Sequence, residues 1–263
     1  MREKEMITSR SNPLVKEFRA LDQRKNRSER GLFLVEGIHN VGAAVEADWV
    51  IENLLYAPDL LTSDYAHDLI AASVKKDIRC QSVSADVFHS FASKENPQGI
   101  LASVHQRELH LEELSEFEHL AAIIAPQDPG NLGTILRTLD AVGANGLVLL
   151  EGGVDLYHPK VVRASMGALF WVPVVRTTFD GFASWGKSSS FQLIGTSAHG
   201  ETDLSSLELN NKKWILLLGN EQKGLSREQI AACDDLVALP MRGRGRSLNL
   251  AVAAGVLLYG LMK

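Results

Sequence analysis

The sequence predicts an α/β protein of two domains, the second of which is built on a parallel sheet. Apolar runs of strand length alternate with amphipathic runs of helix length along the chain. Strands that are apolar on both faces favour a parallel sheet with helices packed on each side. With 263 residues, 45% of them hydrophobic, the chain is long enough for two modest hydrophobic cores.

The first domain is predicted over residues 1–107. A helix is expected after Asn12-Pro13, because asparagine caps helices and proline suits their first turn. The elements that follow are expected in this order: a strand over 31–35, a helix over 39–47, a strand over 51–57, a helix over 64–75, a strand over 78–83, a helix over 85–90 and a strand over 99–105. This pattern indicates a small alternating α/β unit.

Charge is distributed unevenly along the chain. The net charge is −5, which argues against indiscriminate binding of nucleic acid. The first thirty residues nevertheless carry nine lysines and arginines against five acidic residues. A basic arm on an acidic protein suits a selective polyanionic partner, although basic N-terminal helices also occur without one.

The second domain is predicted over residues 119–263, after a linker. The linker is the acidic run 108–118, which holds five glutamates and no lysine or arginine. The elements expected beyond it are a strand over 120–125, a helix over 132–142, a strand over 146–150, a helix over 158–165, an extended segment over 171–175, strands over 191–196, 214–218 and 236–239, and a last helix that reaches Met262.

Several classes of protein are disfavoured by the composition. The only cysteines, Cys80 and Cys233, are far apart, so neither a disulfide framework nor a metal site is expected. The N-terminal residues lack the apolar core of a signal peptide. The longest apolar stretch, Leu248–Met262, is too short to span a bilayer. We therefore expect a cytoplasmic protein without a membrane anchor or a metal.

Three loops share one design, in which a buried strand ends, a polar or glycine-rich turn follows, and a helix begins. They are Gln127–Gly133, Gly219–Ser226 and Leu239–Leu250. Ligands bind at such carboxyl ends of strands in open α/β sheets. Each loop alone is more often typical of ordinary turn chemistry than of a ligand site. None of them carries a Gly-x-Gly-x-x-Gly fingerprint or a phosphate-binding P-loop, so a nucleotide-dependent oxidoreductase is disfavoured.

Together, in this order, the three loops resemble the motifs of SpoU-type RNA 2′-O-ribose methyltransferases, which belong to the knotted SPOUT superfamily. The first motif is matched by Asn131–Arg137 and Ala141–Ala144. The second is matched by Leu217–Ser226, and the third by Leu239–Met241 with Ser247–Ala253. The match extends over the whole second half of the chain.

The first half shows a weaker resemblance to the substrate-binding domain of the same family. Asn12–Lys16 and Phe33–Gly37 carry this resemblance. The third motif departs from the family pattern at Arg246, where a neutral or acidic residue is usual. Because Ser247 and Asn249 are intact, we expect Arg246 to affect substrate contact rather than chemistry.

The resemblance implies a fold, a cofactor and a set of partners. The C-terminal parallel-sheet domain would contain a deep trefoil knot, and a small α/β RNA-binding domain would precede it. S-adenosylmethionine would lie bent in the knot, and two chains would form a homodimer beside this site. The residues implied to line the cofactor pocket are Leu218, Gly219, Leu239, Met241, Leu248 and, as a further candidate, Thr196.

The resemblance also assigns catalytic roles, with Arg137 at the centre. A guanidinium stays protonated in proteins and is a poor base, so Arg137 would bind the adjacent phosphate and stabilise the developing alkoxide. Asn131 would orient Arg137, and Glu221 would pair with an arginine of this subunit or of its partner. Ser247 and Asn249 would fix the knot loop and the ribose. The alternatives are a surface Arg137 paired with Asp140 and a solvated Glu221.

The expected substrate is structured RNA, with ribosomal RNA favoured over transfer RNA because of the appended domain. The candidate RNA contacts, each of which is equally consistent with a solvated surface, are Lys16, Arg24, Arg30, Arg242 and Arg244. Two alternatives stay open: a transfer RNA 2′-O-methyltransferase, and a catalytically silent RNA-binding or ribosome-assembly factor. The intact Asn131, Arg137, Ser247 and Asn249 argue against the silent factor.

Overall fold

Two compact units make up the chain. The computed structural model describes residues 5–92, 96–197, 202–209, 212–245 and 247–262. The first unit contains the chain up to Arg107 together with Tyr157–Phe170, and the second contains Glu108–Leu156 and the chain from Trp171 onward. Both units are of the α/β class that the sequence predicts.

The first unit is a four-stranded mixed sheet with helices. Its helices are α1 (Pro13–Ala20), α2 (Arg24–Arg30), α3 (Ile38–Glu46), α4 (Asp64–Lys75), α5 (Ala85–His89) and, later in the chain, α7 (Pro159–Ala164), and its strands are β1 (Leu32–Glu36), β2 (Ile51–Tyr56), β3 (Cys80–Ser82) and β4 (Ile100–His105). The strand order is β1-β4-β2-β3, in which β4 runs antiparallel to both of its neighbours. Asn12 caps α1 as expected, because its Oδ1 accepts a hydrogen bond from the Leu14 N–H at 2.9 Å.

The segment that contains α7 returns to the first unit, whereas the sequence analysis assigned it to the second domain. An aromatic cluster holds it there. The Phe33 and Tyr157 ring centroids are 4.5 Å apart, and the Trp49 ring meets the Phe170 ring edge-on at 5.2 Å. The Trp49 indole N–H also donates to the Phe170 carbonyl oxygen at 3.0 Å. The burial of large aromatic rings therefore determines to which unit this segment belongs. Helical periodicity predicts the helix α7 but carries no information about its unit.

Residues 108–118 are not the linker that their charge predicts. They form a short 3-10 turn, Leu111–Leu114, whose two leucines are buried in the core of the second unit. The Trp185 indole N–H donates to the Ser115 hydroxyl at 3.1 Å, which adds a polar attachment. Apolar residues interleaved with the glutamates thus make this run part of the second unit.

The second unit is built on a seven-stranded parallel sheet. Its strands are β5 (His119–Ile124), β6 (Gly146–Leu150), β7 (Val174–Thr177), β8 (Gln192–Thr196), β9 (Thr202–Asp203), β10 (Trp214–Leu218) and β11 (Asp235–Ala238), and its helices are α6 (Pro129–Val142), α8 (Phe179–Ser188), α9 (Arg227–Ala231) and α10 (Leu250–Leu261). The strand order is β7-β6-β5-β10-β8-β11-β9. The central strands β5, β6 and β10 are buried almost throughout, as their continuous apolar runs predict.

Parallel strands place their carboxyl ends at one edge of the sheet. The strands β5, β10, β8 and β11 are consecutive neighbours, so the segments that follow Ile124, Leu218, Thr196 and Ala238 meet at that edge. Two of these segments are the first and second of the predicted loops, and the third predicted loop begins directly after β11.

Two other features bear on the classes of site considered above. Among the described residues, no helix has the length and apolarity needed to cross a membrane, and no group of His, Cys, Asp and Glu side chains is placed to hold a metal ion. Burial, together with a smaller effect of the nearby Asp234 carboxylate, raises the pKa of the Cys233 thiol to about 12. Cys233 is therefore protonated near neutral pH and is a poor nucleophile.

Candidate active site

An open cavity of about 550 Å³ lies in the second unit, at the carboxyl edge of its sheet. Its volume is in the range of small-molecule sites. The lining comes from all three predicted loops, from the carboxyl ends of β8 and β11 and from α10. It consists of Gln127, Asp128, Asn131, Thr196, Ser197, Gly219, Asn220, Glu221, Gln222, Gly224, Val237, Leu239, Met241, Ser247, Leu248, Asn249, Leu250, Ala253 and Leu257.

The first loop presents Asn131 at the start of α6. Asp128 caps this helix, since its Oδ1 accepts a hydrogen bond from the Asn131 N–H at 2.7 Å. Pro129 occupies the first helical position, where its lack of an N–H costs nothing. The cap and the proline together fix where the helix starts, and they place Asn131 in its first turn, beside the cavity.

The second loop is closed on itself by backbone hydrogen bonds between Asn220 and Gly224, at 3.1 and 2.8 Å. The Asn220 side chain supports it from within, because its Oδ1 accepts from the Gln222 and Lys223 N–H groups at 3.0 and 3.2 Å. The Asn220 Nδ2 donates to the Ala125 carbonyl oxygen at 3.0 Å, which ties this loop to the end of β5.

Gly219 allows the second loop to fold back so closely. A Cβ atom at this position would lie 2.6 Å from the Gly224 carbonyl carbon and 2.8 Å from the Leu225 nitrogen. Both contacts are to backbone atoms, which cannot rotate away. The residue type at 219 is therefore dictated by close packing of the backbone.

The third loop ends at Asn249, which caps α10. The Asn249 Oδ1 accepts hydrogen bonds from the Ala251 and Val252 N–H groups at 2.9 and 3.3 Å. Ser247 and Leu248, directly before the cap, are exposed at the mouth of the cavity. This arrangement accounts for the Ser-x-Asn spacing of the third motif.

A chain of side-chain hydrogen bonds joins the three loops. The Asn249 Nδ2 donates to the Asn131 Oδ1 at 2.9 Å, and the Asn131 Nδ2 donates to the Glu221 Oε1 at 2.8 Å. The other carboxylate oxygen of Glu221 accepts from the Gln127 N–H at 2.9 Å. We call Asn131, Glu221 and Asn249 the three-loop junction. Its two hydrogen bonds join residues that are 90 and 118 positions apart in sequence.

Most of the predicted site residues line this cavity. Of the expected catalytic residues, Asn131, Glu221, Ser247 and Asn249 do so, and of the expected cofactor contacts, Thr196, Gly219, Leu239, Met241 and Leu248 do so. Leu218 does not, because it is the last residue of β10 and is only 1% exposed inside the core. Its backbone leads into the loop, but its side chain belongs to the hydrophobic core.

Arg137 does not line the cavity of its own chain. It lies six residues after Asn131, about 9 Å farther along α6, and is exposed. Asn131 does not orient it, since the Asn131 side chain is engaged by Glu221 and Asn249. No hydrogen bond or ion pair involves the Arg137 side chain within the described ranges, so the alternative of a pair with Asp140 is not observed either.

Glu221 is neither a solvated carboxylate nor, within this chain, an arginine partner. Both of its oxygens accept hydrogen bonds from the first loop. Across the part of the lining that the structure describes, the charged side chains are the carboxylates of Asp128 and Glu221, and there is no lysine, arginine or histidine. The cavity is therefore polarised for a ligand that carries positive charge.

The candidate RNA contacts are exposed. Lys16, Arg24 and Arg30 lie on the first unit, where the Arg30 guanidinium approaches the Glu17 carboxylate at 3.8 Å. Arg242 and Arg244 lie in the exposed segment that leads to the third motif. Arg246 falls outside the described residues.

Sequence reasoning missed several lining residues. Gln127, Asp128 and Asn220 contribute backbone or side-chain polar groups, and Ala253 and Leu257 contribute apolar surface from α10. Asp128 had a detectable signal, because an acid before proline is typical of a helix cap. Ala253 and Leu257 follow Leu250 at helical spacing, which also could have indicated a shared face.

Comparisons with known proteins identify both halves of the chain. Residues 119–259 match the model of the SpoU rRNA Methylase family, and residues 12–102 match that of the MRM3-like substrate binding domain. The chain is 31% identical over 255 residues to the 23S rRNA (guanosine(2553)-2′-O)-methyltransferase RlmP of Bacillus subtilis, covering 97% of this chain and 98% of the relative. It is 33% identical to the 23S rRNA (uridine(2479)-2′-O)-methyltransferase of Streptomyces viridochromogenes, covering 96% and 90%.

A solved structure agrees over nearly the same length. The crystal structure of an AdoMet-bound rRNA methyltransferase from Sinorhizobium meliloti has a TM-score of 0.88 and 34% identity to this chain, and the match covers 97% of this chain and 96% of that one. The family model covers more than half of the chain and includes all three loops of the cavity. On this evidence the chain belongs to the SpoU rRNA methylase family.

Proposed function

We propose that this protein transfers a methyl group from S-adenosylmethionine to a ribose 2′-hydroxyl of ribosomal RNA. The observation that carries the proposal is the three-loop junction, which assembles the polar residues of all three family motifs around one cavity. The relatives named above, whose names specify 23S rRNA 2′-O-methylation, support ribosomal RNA over transfer RNA. They also support a cytoplasmic location, where ribosomal RNA would be met.

The cavity fits S-adenosylmethionine in size and in chemistry. Leu239, Leu248 and Leu257 offer apolar surface for a purine ring, and the carboxylates of Asp128 and Glu221 favour a cationic ligand. When bound, S-adenosylmethionine supplies a methyl group on a positively charged sulfur. The closed loop at Gly219 presents backbone groups to the ligand without an intervening side chain.

Different residues of the chain position the ribose and stabilise the negative charge that develops on the attacking oxygen. The three-loop junction fixes the cavity wall, and Ser247 at its exposed edge is placed to hold a ribose. Arg137 has a free, exposed guanidinium, which suits it to bind an RNA phosphate and to stabilise negative charge on the attacking oxygen. As a permanently protonated group it acts as a donor and not as the base.

The first test is binding and product mapping. Isothermal titration calorimetry is expected to show that the protein binds S-adenosylmethionine and not NADH. Mapping of 2′-O-methyl groups on total RNA from cells with and without the gene is expected to show loss of a site in ribosomal RNA. If the lost 2′-O-methyl site lies only in transfer RNA, transfer RNA and not ribosomal RNA is the substrate. If the protein binds S-adenosylmethionine but no 2′-O-methyl site is lost, a silent RNA-binding factor is favoured. No binding of S-adenosylmethionine would overturn the proposal.

The proposal includes a homodimer, for which an exposed apolar face on α10 gives support. Val252, Val256 and Tyr259 are 52%, 48% and 62% exposed, and they recur at helical spacing. They line a shallow groove that also includes Asn131 and Asn249, so the face adjoins the three-loop junction. A second copy seated on this face would lie next to the junction, which is where an arginine of the partner subunit would have to be to meet Glu221.

The Val256→Glu variant is expected to be monomeric by size-exclusion chromatography with light scattering, whereas the wild type is expected to be dimeric. A carboxylate in an apolar interface is left unpaired and desolvated, which opposes association. Val50→Glu is the matched control, because Val50 is a valine of similar exposure, 65%, that belongs to the first unit and not to α10. A wild-type monomer, or a dimer that survives Val256→Glu, would contradict the assignment of this surface.

The remaining part of the proposal is the trefoil knot. In the sheet, β10 lies between β5 and β8, both of which precede it in the chain. Because this later strand is inserted between two earlier ones, the chain has to re-enter the middle of the sheet. This strand order supports a knotted path of the chain at the carboxyl edge of the sheet.

A further inference from the structure

A second cavity, of about 410 Å³, lies within the first unit. We call it the first-unit cavity. Leu34, Phe91 and Val162 give it an apolar wall, and Arg19, Glu36 and Asn40 are among its polar residues. An apolar lining with a few convergent polar groups is typical of small-ligand sites. Nothing in the chemistry described above uses it.

Asn40 is the most informative residue of this cavity. It belongs to α3 and is only 6% exposed. Its Nδ2 donates to the Glu36 carbonyl oxygen at 3.2 Å, whereas its Oδ1 accepts no hydrogen bond among the described residues. A buried amide oxygen without a donor is costly, and native structures usually provide it with a partner. The cavity therefore calls for a ligand that carries an N–H or O–H donor.

Arg19 supplies a fixed donor in the same cavity. Its guanidinium is held in place, because Nη2 donates to the Ser90 hydroxyl at 2.5 Å and Nη1 donates to the Arg10 carbonyl oxygen at 3.3 Å. The Nε–H is buried and has no acceptor among the residues that the structure describes. Arg19 and Asn40, each of which has one buried polar atom without a partner among the described residues, thus both line this cavity.

We propose that the first-unit cavity binds one unstacked guanine base of the RNA, an inference that rests on the proposed function. Guanine offers the O6 and N7 acceptors that arginine recognises, and it also carries N–H donors for an amide or carboxylate oxygen. The half-buried Phe91 ring provides a surface on which a base can stack. The Arg19 and Arg163 guanidinium groups in the lining are balanced by the Asp22 and Glu36 carboxylates. The cavity therefore has no net positive charge with which to hold a phosphate, so the base and not the backbone is the group that enters.

Fluorescence anisotropy with two labelled oligonucleotides tests this assignment on the full-length protein. One is an oligouridine, and the other is the same oligouridine with a single central guanosine. The wild type is expected to bind the guanosine-containing strand about fivefold to tenfold more tightly at low salt. Free guanosine is expected to compete for this difference only at much higher concentration than the oligonucleotide, because it lacks the backbone contacts.

Two variants test the cavity in different ways. Asn40→Leu keeps the volume but removes the acceptor, and Ala92→Trp fills the cavity without removing a polar group. Each is expected to abolish the preference for guanosine. Ala72→Trp is the matched control, since Ala72 is exposed on α4 and does not line the cavity. Thermal unfolding of every variant checks that the fold is retained, and the filling variant keeps the test valid if Asn40→Leu is unstable.

The outcomes separate this inference from the proposed function. Equal binding of the two oligonucleotides, binding of neither at the highest soluble protein concentration, or a preference that survives Ala92→Trp would overturn the guanine site. Competition by free guanosine at the same concentration as the oligonucleotide would identify a nucleoside site instead of an RNA site. Calorimetry with S-adenosylmethionine and mapping of methylated riboses test the proposed function independently of all these results.

Discussion

Replacement of Arg137 with alanine is expected to lower kcat for RNA methylation by about 100-fold or more, while the Kd for S-adenosylmethionine stays unchanged. The first part follows from the proposed role of the guanidinium, which binds a phosphate and stabilises charge that develops on the attacking oxygen. The second part follows from position. Arg137 is exposed on α6, about 9 Å beyond Asn131 along the helix, and does not line the cavity.

The Arg137 prediction is checked by single-turnover methylation of ribosomal RNA together with calorimetry. Arg137→Lys is informative, because it keeps the positive charge but loses the planar fork that binds two phosphate oxygens. We expect it to recover only a small part of the activity. Arg227→Ala, at an exposed position on α9, is the matched control and should behave like the wild type. Equal loss of cofactor binding and activity in Arg137→Ala would assign Arg137 a structural role.

The position of the site could be predicted from the sequence, because each loop follows an apolar strand. Gln127–Gly133, Gly219–Ser226 and Leu239–Leu250 all follow strands of one parallel sheet, and parallel strands end at a common edge. The hydrogen bonds between the loops could not be predicted in the same way. Asn131 and Glu221 meet only because β5 and β10 are neighbours in the sheet, and strand order is not visible in local periodicity.

The elements that the sequence analysis missed have weak local signals. The helix α8 contains Gly181 and Gly186, which lower helix propensity, and it is held instead by the burial of Phe182 and Trp185. The helix α9 is only five residues long and mostly polar, so its capping box at Ser226 and Gln229 is its main signal. The first of these helices therefore depends on burial in the core, and the second on its cap.

Apolar character alone also misplaces one of two tryptophans. The apolar stretches that contain Trp171 and Trp214 predict a core position for each side chain. Trp214 is buried in β10, whereas Trp171 is 53% exposed at the point where the chain leaves the first unit. The hydropathy of a short stretch does not show whether the rest of the fold covers it, and at Trp171 the fold leaves about half of the side chain exposed.

Replacement of Gly219 with alanine is the second substitution with a large expected effect. The added Cβ would lie 2.6 to 2.9 Å from three backbone atoms of Gly224 and Leu225, so the Asn220–Gly224 loop has to move. We expect the affinity for S-adenosylmethionine to fall by about tenfold or more, since displacement of a loop that lines the cavity removes several contacts at once. Overpacking of about 1–3 kcal/mol should also lower the midpoint of thermal unfolding by roughly 2–10 °C.

The matched control for this substitution is Gly243→Ala. A Cβ at Gly243 would meet nothing within 4 Å, and this glycine is not among those with a positive φ. Isothermal titration calorimetry on both variants measures the affinity for S-adenosylmethionine, and differential scanning calorimetry measures the midpoint of thermal unfolding. If Gly219→Ala lowers stability but binds S-adenosylmethionine like the wild type, the close approach at Gly219 serves the packing of the loop alone. If both variants bind normally and unfold at the wild-type temperature, the loop is more adaptable than its hydrogen bonds indicate, and its backbone is not what holds the ligand. We expect neither result. The loop is closed by the hydrogen bonds between Asn220 and Gly224 and is bonded to Ala125, so it cannot move away from an added Cβ without breaking some of these hydrogen bonds.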